Sequence, residues 1–163
     1  MASRHPEHLE SFSYIGPYRY HLRFCTDAKR PVFTSDTPVE LMLAQILRAC
    51  EEHEFAVIAY CFMPDHVHLL IEGTAPTSDC KRFIARVKQY SGYQHAARFK
   101  ERLWQRYGFE RVLREHETTF VVARYILENP LRAGLVTRVE DYPYVGSLVY
   151  TLRELLDSCQ AAQ

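Results

Sequence analysis

The sequence predicts an α+β fold, a ferredoxin-like split βαβ antiparallel sheet with one added helix towards its C-terminal end. Three observations predict it. Four segments have the apolar patterns of strands, and two helical segments separate them in the order strand, helix, strand, strand, helix, strand. A third apolar helical segment follows the last strand. Since neither an internal repeat nor a linker interrupts this order, we expect one domain.

The predicted domain covers residues 16–163. Residues 1–15 are expected to form a flexible N-terminal arm, because they are polar and show no clear periodicity. The hydrophobic share of 47% is sufficient for a packed core. The chain has no apolar run long enough for a membrane span or a signal peptide, so we expect a cytoplasmic protein that does not contact membranes. Its five scattered cysteines predict reduced thiols.

The first strand is predicted from Tyr18 to Cys25, where apolar side chains alternate with Arg19, His21 and Arg23. The first helix follows at residues 35–52, because a serine and a proline there suit the N-cap and the first turn. Its apolar residues then recur at helical spacing.

Two continuous apolar runs predict the central strands, at residues 55–63 and 66–71, joined by a tight turn at Pro64 and Asp65. A basic helix is predicted next, capped within residues 77–79 and ending near Arg98. The fourth strand fits residues 109–114.

The last strong helix is predicted from Glu117 to Glu128. It ends before Pro130, because proline disfavours helical geometry in the residue that precedes it. The remaining segment predicts a loop and a short helix at residues 151–156 that pack back on the domain.

Basic residues are concentrated in one segment. Residues 80–114 contain ten Lys or Arg and two acidic residues, although the whole chain has 20 of each charge. This segregation is typical of a surface that faces a polyanion, but a solvated helix face would have the same pattern.

His66 and His68 are two apart on a predicted strand, so their side chains project from the same face of the sheet. Two imidazoles with one or two oxygen donors would leave open positions on a divalent metal, as catalytic sites require. Two ordinary histidines on a strand are the alternative interpretation.

Tyr125 and Asn129 are four apart on the last predicted helix, which places them on the same face and lets them address one site. Alternatively, the tyrosine belongs to the core and the asparagine only ends the helix before Pro130. The spacing alone does not decide between these interpretations.

Three motifs occur in order along the chain, at Met63–Leu70, Trp104–Arg114 and Ala123–Val136. Together they resemble the REP-associated tyrosine transposases, which belong to the single-tyrosine His-hydrophobic-His (HUH) nucleases. The resemblance extends from about residue 16 to residue 147. Three agreeing motifs make it much more specific than a His-x-His pair alone.

The resemblance implies that His66 and His68 bind a divalent ion, Mg²⁺ or Mn²⁺, with Asn129 as a third ligand. It also implies that Tyr125 is the nucleophile, on the added C-terminal helix. The expected function is a metal-dependent single-stranded DNA endonuclease and strand transferase with a covalent 5′-phosphotyrosine intermediate.

The family acts on single-stranded DNA that contains hairpins, and the basic segment suits this use. We expect the chain to act as a monomer or a homodimer. We also expect six basic residues to contact phosphate groups of the DNA. The expected DNA contacts are Lys81, Arg82, Arg86, Lys88, Arg98 and Lys100.

Two alternatives stay open. The first is a domesticated, non-catalytic transposase that binds DNA hairpins. The second is an unrelated metallohydrolase, in which the two histidines and an acid such as Glu128 activate water without a covalent step. Substitution of Tyr125 by Phe separates hydrolysis, which would survive, from tyrosine chemistry, which would not.

Overall fold

A computed structural model describes residues 12–114 and 117–162 of the chain. Their strands form one open sheet with antiparallel neighbours, in the order β4-β1-β3-β2-β5. The order β4-β1-β3-β2 is that of the predicted split βαβ sheet. The strands are β1 (Arg19–Cys25), β2 (Phe55–Met63), β3 (His66–Gly73), β4 (Phe109–Val112) and β5 (Val145–Gly146).

The helices confirm the predicted fold class and correct some of its boundaries. The helix predicted at residues 117–128 begins at residue 119, and a further single turn follows it. The helices are α1 (Asp36–His53), α2 (Cys80–Phe99), α3 (Thr119–Leu127), α4 (Asn129–Arg132) and α5 (Leu152–Ala161). The fourth strand ends at residue 112 rather than 114, and the short strand β5 was not predicted.

Helices α1 and α2 pack on one face of the sheet, where they bury the largest aromatic side chains of the domain. The side chain of Asp79 caps α2 by accepting a hydrogen bond from the backbone N–H of Arg82. Trp104 is buried in this layer, and its indole N–H donates to Ser91 Oγ at 2.9 Å. Trp104 is therefore a core residue rather than a platform for stacking bases.

Helices α3 and α5 cover the opposite face. Since side chains alternate along a strand, Cys61 and Leu70 point to this side, where Ala123 and Ile126 of α3 pack against the sheet. Leu155 of α5 is fully buried behind them. Helix α3 is therefore held on the face of β3 to which His68 belongs.

The segment before β5 adds to the sheet at the outer edge of β2. The backbone N–H of Phe62 donates to the carbonyl of Tyr144 at 2.9 Å, and the buried hydroxyl of Tyr142 donates to the carbonyl of Phe62. Chain segments far apart in sequence thus meet at this edge, which local periodicity does not predict.

Residues 1–11 of the predicted arm lie outside the described residues. Residues 12–15 pack against the domain: Tyr14 is buried, and its carbonyl accepts a hydrogen bond from the N–H of Cys80 at 2.9 Å. In the described ranges, none of the helices has the length and apolar character needed to cross a membrane.

Candidate active site

Strands β1 and β3 carry the polar side chains of the α3 face. In the register of this antiparallel pair, Arg23 lies opposite His68 and Cys25 lies opposite His66. Directly opposed residues face the same side of a sheet, so His66, His68, His21 and Arg23 all belong to the face that α3 covers. The ring centroids of His66 and His68 are 5.0 Å apart, with an interplanar angle of 81°.

Each predicted ligand histidine is oriented through one ring nitrogen. His66 Nδ1 lies 2.6 Å from Oδ1 of Asp65, and His68 Nδ1 lies 2.9 Å from Nε2 of His21. These contacts engage the Nδ1 atom of both rings. The Nε2 atoms are then the nitrogens left to bind a metal, an arrangement that is usual for metal-bound histidines.

Burial keeps two of these rings neutral. It lowers the pKa of His68 to about 3 and that of His21 to about 4. Neighbouring groups add to the effect, with His21, His66, Arg23 and Arg132 acting on His68, and Arg111 and Arg23 acting on His21. A neutral imidazole is the form that binds a metal ion.

Arginines from the sheet hold the start of α3 in place. Nη1 of Arg19 donates to the carbonyl of Glu117 and to Oγ1 of Thr119, both at 2.8 Å. Nη1 of Arg111 contacts both carboxylate oxygens of Glu117 at 2.7 Å. The orientation of α3 over β1 and β3 is thus determined by polar contacts as well as by its buried apolar side.

Tyr125 lies on the exposed side of α3, and 54% of its surface is accessible. Its ring meets that of His21 edge to face, with centroids 6.4 Å apart. The guanidinium of Arg132 lies 4.1 Å from the centre of the Tyr125 ring and donates to the Tyr125 carbonyl. Arg132 in turn lies near Glu128, with Nη1 and Oε2 3.9 Å apart.

A cavity of about 520 Å³ opens between the sheet and α3. It brings Tyr125 and His68 together, although they lie on elements distant in sequence. His66 and Asn129 do not line it. The lining residues are His21, Arg23, His68, Arg111, Glu117, Val121, Val122 and Tyr125.

Asn129 occupies the junction between α3 and α4. Its Nδ2 donates to the carbonyl of Ile126 at 2.9 Å and to that of Tyr125 at 3.4 Å. The side-chain amide thus satisfies carbonyl groups at the end of α3. Its Oδ1 is the atom that a metal would use.

The donor set fits a divalent ion on its chemistry. The imidazoles of His66 and His68 present Nε2, and Asn129 can add an amide oxygen, which together leave positions for a phosphate. Among residues 12–114 and 117–162, no group of three or more His, Cys, Asp or Glu is placed to hold a metal. A site built here therefore depends on the pair of histidines and on an amide or the substrate.

The six predicted DNA contacts lie on or next to α2, on the other side of the sheet from Tyr125. Five of them are exposed, whereas Lys88 is half-buried and its Nζ lies 3.4 Å from the carbonyls of Gln105 and Arg106. Lys88 and Lys100 border a groove of about 920 Å³ between α2 and residues 100–106. The structure thus separates the basic surface from the histidine and tyrosine cavity.

Three basic cavity residues were missed from the sequence: His21, Arg23 and Arg111. The alternation in β1 already places His21 and Arg23 on one face of their strand. It does not tell which strand lies beside β1, and the pairing with β3 is what brings them to His68.

Comparison with known proteins identifies the family. Residues 15–129, well over half of the chain, match the family model described as transposase IS200 like. The chain belongs to the IS200-like transposase family. The matched range includes His66, His68 and Tyr125 and ends at Asn129.

The family's relatives agree with the resemblance to REP-associated tyrosine transposases. A protein of Haemophilus influenzae named as such is 29% identical over 108 residues, which are 60% of this chain and 61% of the relative. The chain thus spans about three fifths of the length of this curated relative.

Solved structures show the same fold. One described as a REP-associated tyrosine transposase bound to a REP hairpin has a TM-score of 0.71 at 19% identity, covering 88% of this chain and 82% of its own. A transposase crystal structure from Deinococcus radiodurans has a TM-score of 0.53 at 23% identity, covering 72% and 94%. The α+β arrangement of this transposase family member is thereby confirmed.

Proposed function

We propose that this transposase is a metal-dependent endonuclease and strand transferase for single-stranded DNA, acting through a covalent 5′-phosphotyrosine intermediate. The observation that carries the proposal is the common cavity of Tyr125 and His68. An exposed phenol beside an oriented imidazole pair is the arrangement that this chemistry needs.

In the proposed reaction, Oη of Tyr125 attacks the phosphorus of a phosphodiester in line with the 3′ oxygen. A bond forms between Oη and phosphorus, and the bond between phosphorus and the 3′ oxygen breaks. The phenol loses its proton and the leaving 3′ oxygen gains one. Because one phosphodiester is exchanged for another, attack by a 3′ hydroxyl reverses the step without an external energy source.

A phenol is a weak nucleophile at neutral pH, so charge that develops on the phosphate oxygens has to be stabilised. Arg132 has a different role: it positions Tyr125 through its contacts with the ring and the backbone carbonyl. His66 and His68 would hold Mg²⁺ or Mn²⁺ through Nε2, with Asn129 Oδ1 as third ligand. The bound ion supplies Lewis-acid stabilisation of the phosphate and helps to orient it.

Hairpin-containing repeats are the proposed substrate. A solved neighbour of the same fold is described as bound to a REP hairpin. In this chain, the exposed basic residues Lys81, Arg82 and Arg86 lie on α2 and suit the backbone of a folded DNA segment. A single-stranded extension of that DNA would have to reach the cavity on the other face of the sheet.

The test is an adduct assay. Labelled hairpin oligonucleotides from the repeats near the coding gene are incubated with the protein and Mg²⁺ or Mn²⁺, then separated on a denaturing gel. We expect a protein–DNA adduct with the wild type and with Tyr93→Phe, a matched exposed tyrosine of α2. Tyr125→Phe and His66→Ala should form no adduct. If Tyr125→Phe still forms the adduct and Tyr93→Phe does not, the assignment of Tyr125 is wrong.

The same assay decides between the alternatives. Binding without an adduct, with both metals and all oligonucleotides, would support a non-catalytic hairpin binder. Cleavage that survives Tyr125→Phe would support a metallohydrolase. Against the second, Oε1 of Glu128 lies 2.8 Å from Nε of Arg124, and Glu128 does not line the cavity.

A further inference from the structure

Arg23 is placed beside the nucleophile by strand pairing. It lies directly opposite His68 in the register of β1 and β3, and its side chain is exposed at the cavity that Tyr125 also lines. The exposed Arg23 side chain therefore borders the same cavity as Tyr125.

The other arginines around Tyr125 are already engaged. Arg111 contacts both carboxylate oxygens of Glu117, and Arg132 contacts the ring and the carbonyl of Tyr125. Within residues 12–114 and 117–162, the side chain of Arg23 forms neither a hydrogen bond nor an ion pair with another residue. It is thus the cavity arginine whose donors are available to a ligand.

The local charge favours an anion. Arg23, Arg111 and the neutral rings of His21 and His68 line one cavity, and Glu117, the acid among its lining residues, is bound by Arg111. An arriving phosphate would offset the positive charge of Arg23 and could accept two hydrogen bonds from its planar guanidinium.

We propose that Arg23 binds a phosphodiester of the single-stranded DNA segment that enters the cavity beside Tyr125. This inference rests on the proposed function, which makes single-stranded DNA the ligand. It adds Arg23 of β1 to the residues that would bind the substrate. The contact would be absent for DNA that consists of a hairpin alone, because a compact stem on the α2 side does not enter the cavity.

The test measures binding in a Tyr125→Phe background, so that no covalent product forms. Fluorescence anisotropy gives the affinity for a labelled hairpin with a single-stranded tail and for the same hairpin without one, over a range of KCl concentrations at constant Mg²⁺. Arg23→Gln is compared with Arg23→Lys and with Arg153→Gln, an exposed arginine of α5 outside the cavity.

For the tailed hairpin, we expect Arg23→Gln to weaken binding about tenfold. It should also reduce the slope of log affinity against log salt by about 0.7, the value for one phosphate contact with a single strand. Arg23→Lys should restore the slope, and Arg153→Gln should match the background protein. The hairpin without a tail should bind equally to all four proteins.

An equal slope for Arg23→Gln and the background protein, or equal weakening for hairpins with and without a tail, would overturn the inference. Because these readouts need no reaction, they separate it from the proposed function. A tail-specific loss together with no adduct from wild-type protein would retain Arg23 as a DNA ligand and reject the transesterification.

Discussion

A hydrogen bond connects His68, a predicted metal ligand, with His21, which the sequence did not single out. Nε2 of His21 lies 2.9 Å from Nδ1 of His68, and both rings are buried. If Nδ1 of His68 carries the proton and donates a hydrogen bond to Nε2 of His21, then Nε2 of His68 keeps the lone pair that binds a metal. His21 would thereby select the tautomer of His68.

This role predicts the effect of His21→Phe. We expect the affinity for Mn²⁺ to fall by about 10 to 100-fold, as is usual when the hydrogen-bond partner of a metal-bound histidine is removed. Electron paramagnetic resonance during an Mn²⁺ titration measures the affinity. His95→Gln, a change at a buried histidine that pairs with Glu101 in the α2 layer, is the matched control and should bind Mn²⁺ normally.

The buried pair also predicts how the stability of the metal-free chain depends on pH. The pKa values of His21 and His68 are lowered to about 4 and about 3, so below pH 6.5 the unfolded chain binds more protons than the folded one. The free energy of unfolding should therefore be highest above pH 6.5 and fall as the pH decreases to 4.

The expected decrease for the pair is roughly 5 to 6 kcal/mol over this range. Urea denaturation at several pH values measures it, and His21→Gln should show a smaller decrease than the wild type because one buried imidazole is removed. Equal decreases in the two proteins would contradict a neutral buried pair.

At the scale of elements, Tyr125, the proposed nucleophile, lies near the junction of α3 and α4. Apolar residues of α3 pack on the sheet while Tyr125 remains exposed, and Asn129 donates to the last carbonyls of α3. The predicted spacing of Tyr125 and Asn129 thus exists across a helix junction rather than within one continuous helix. Asn129 contributes to the shape of the site through this capping.

Asn129→Ala should lower the free energy of unfolding by about 1 to 2 kcal/mol, because the carbonyls of Tyr125 and Ile126 lose a donor. Thermal or urea denaturation measures the change. If Asn129 is also a ligand, the affinity for Mn²⁺ falls in the same variant. Thr151→Ala, which removes the capping box of α5, serves as control and should cost about 1 kcal/mol without altering Mn²⁺ binding.

At the scale of the whole molecule, the sheet separates the basic helix α2 from the cavity of Tyr125 and His68. The basic helix α2 packs on one face, whereas α3 with Tyr125 covers the other. Phosphate contacts on α2 would hold the folded part of a DNA substrate, and the residues of the cavity would act on its single-stranded part. On this proposal, the basic residues of α2 would serve binding rather than catalysis, whereas Arg111 of β4 lies at the cavity.

This separation predicts that the double variant Arg82→Gln, Arg86→Gln affects only DNA binding. For a hairpin without a tail, the slope of log affinity against log salt should decrease by about 0.9 for each phosphate group that the variant no longer neutralises. Its affinity for Mn²⁺ should equal that of the wild type. An unchanged salt dependence would show that these exposed arginines of α2 do not contact the duplex backbone.

Much of the fold could be predicted because it depends on local periodicity. Alternation in β1, continuous apolar runs in β2 and β3 and helical spacing in α1 and α3 determined the order and the type of these elements. The spacing of His66 and His68 determined that they share a face, since side-chain direction along a strand is a property of the strand alone. The motifs, in order, indicated the family.

Only the tertiary structure decided which residues accompany these histidines. The pairing of β1 with β3 brought His21 and Arg23 to His68, and the packing of α3 brought Tyr125 into the same cavity. The strand β5 and the position of α2 across the sheet were decided in the same way. Such contacts join segments distant in sequence, and their choice depends on the burial of whole faces rather than on local residue patterns.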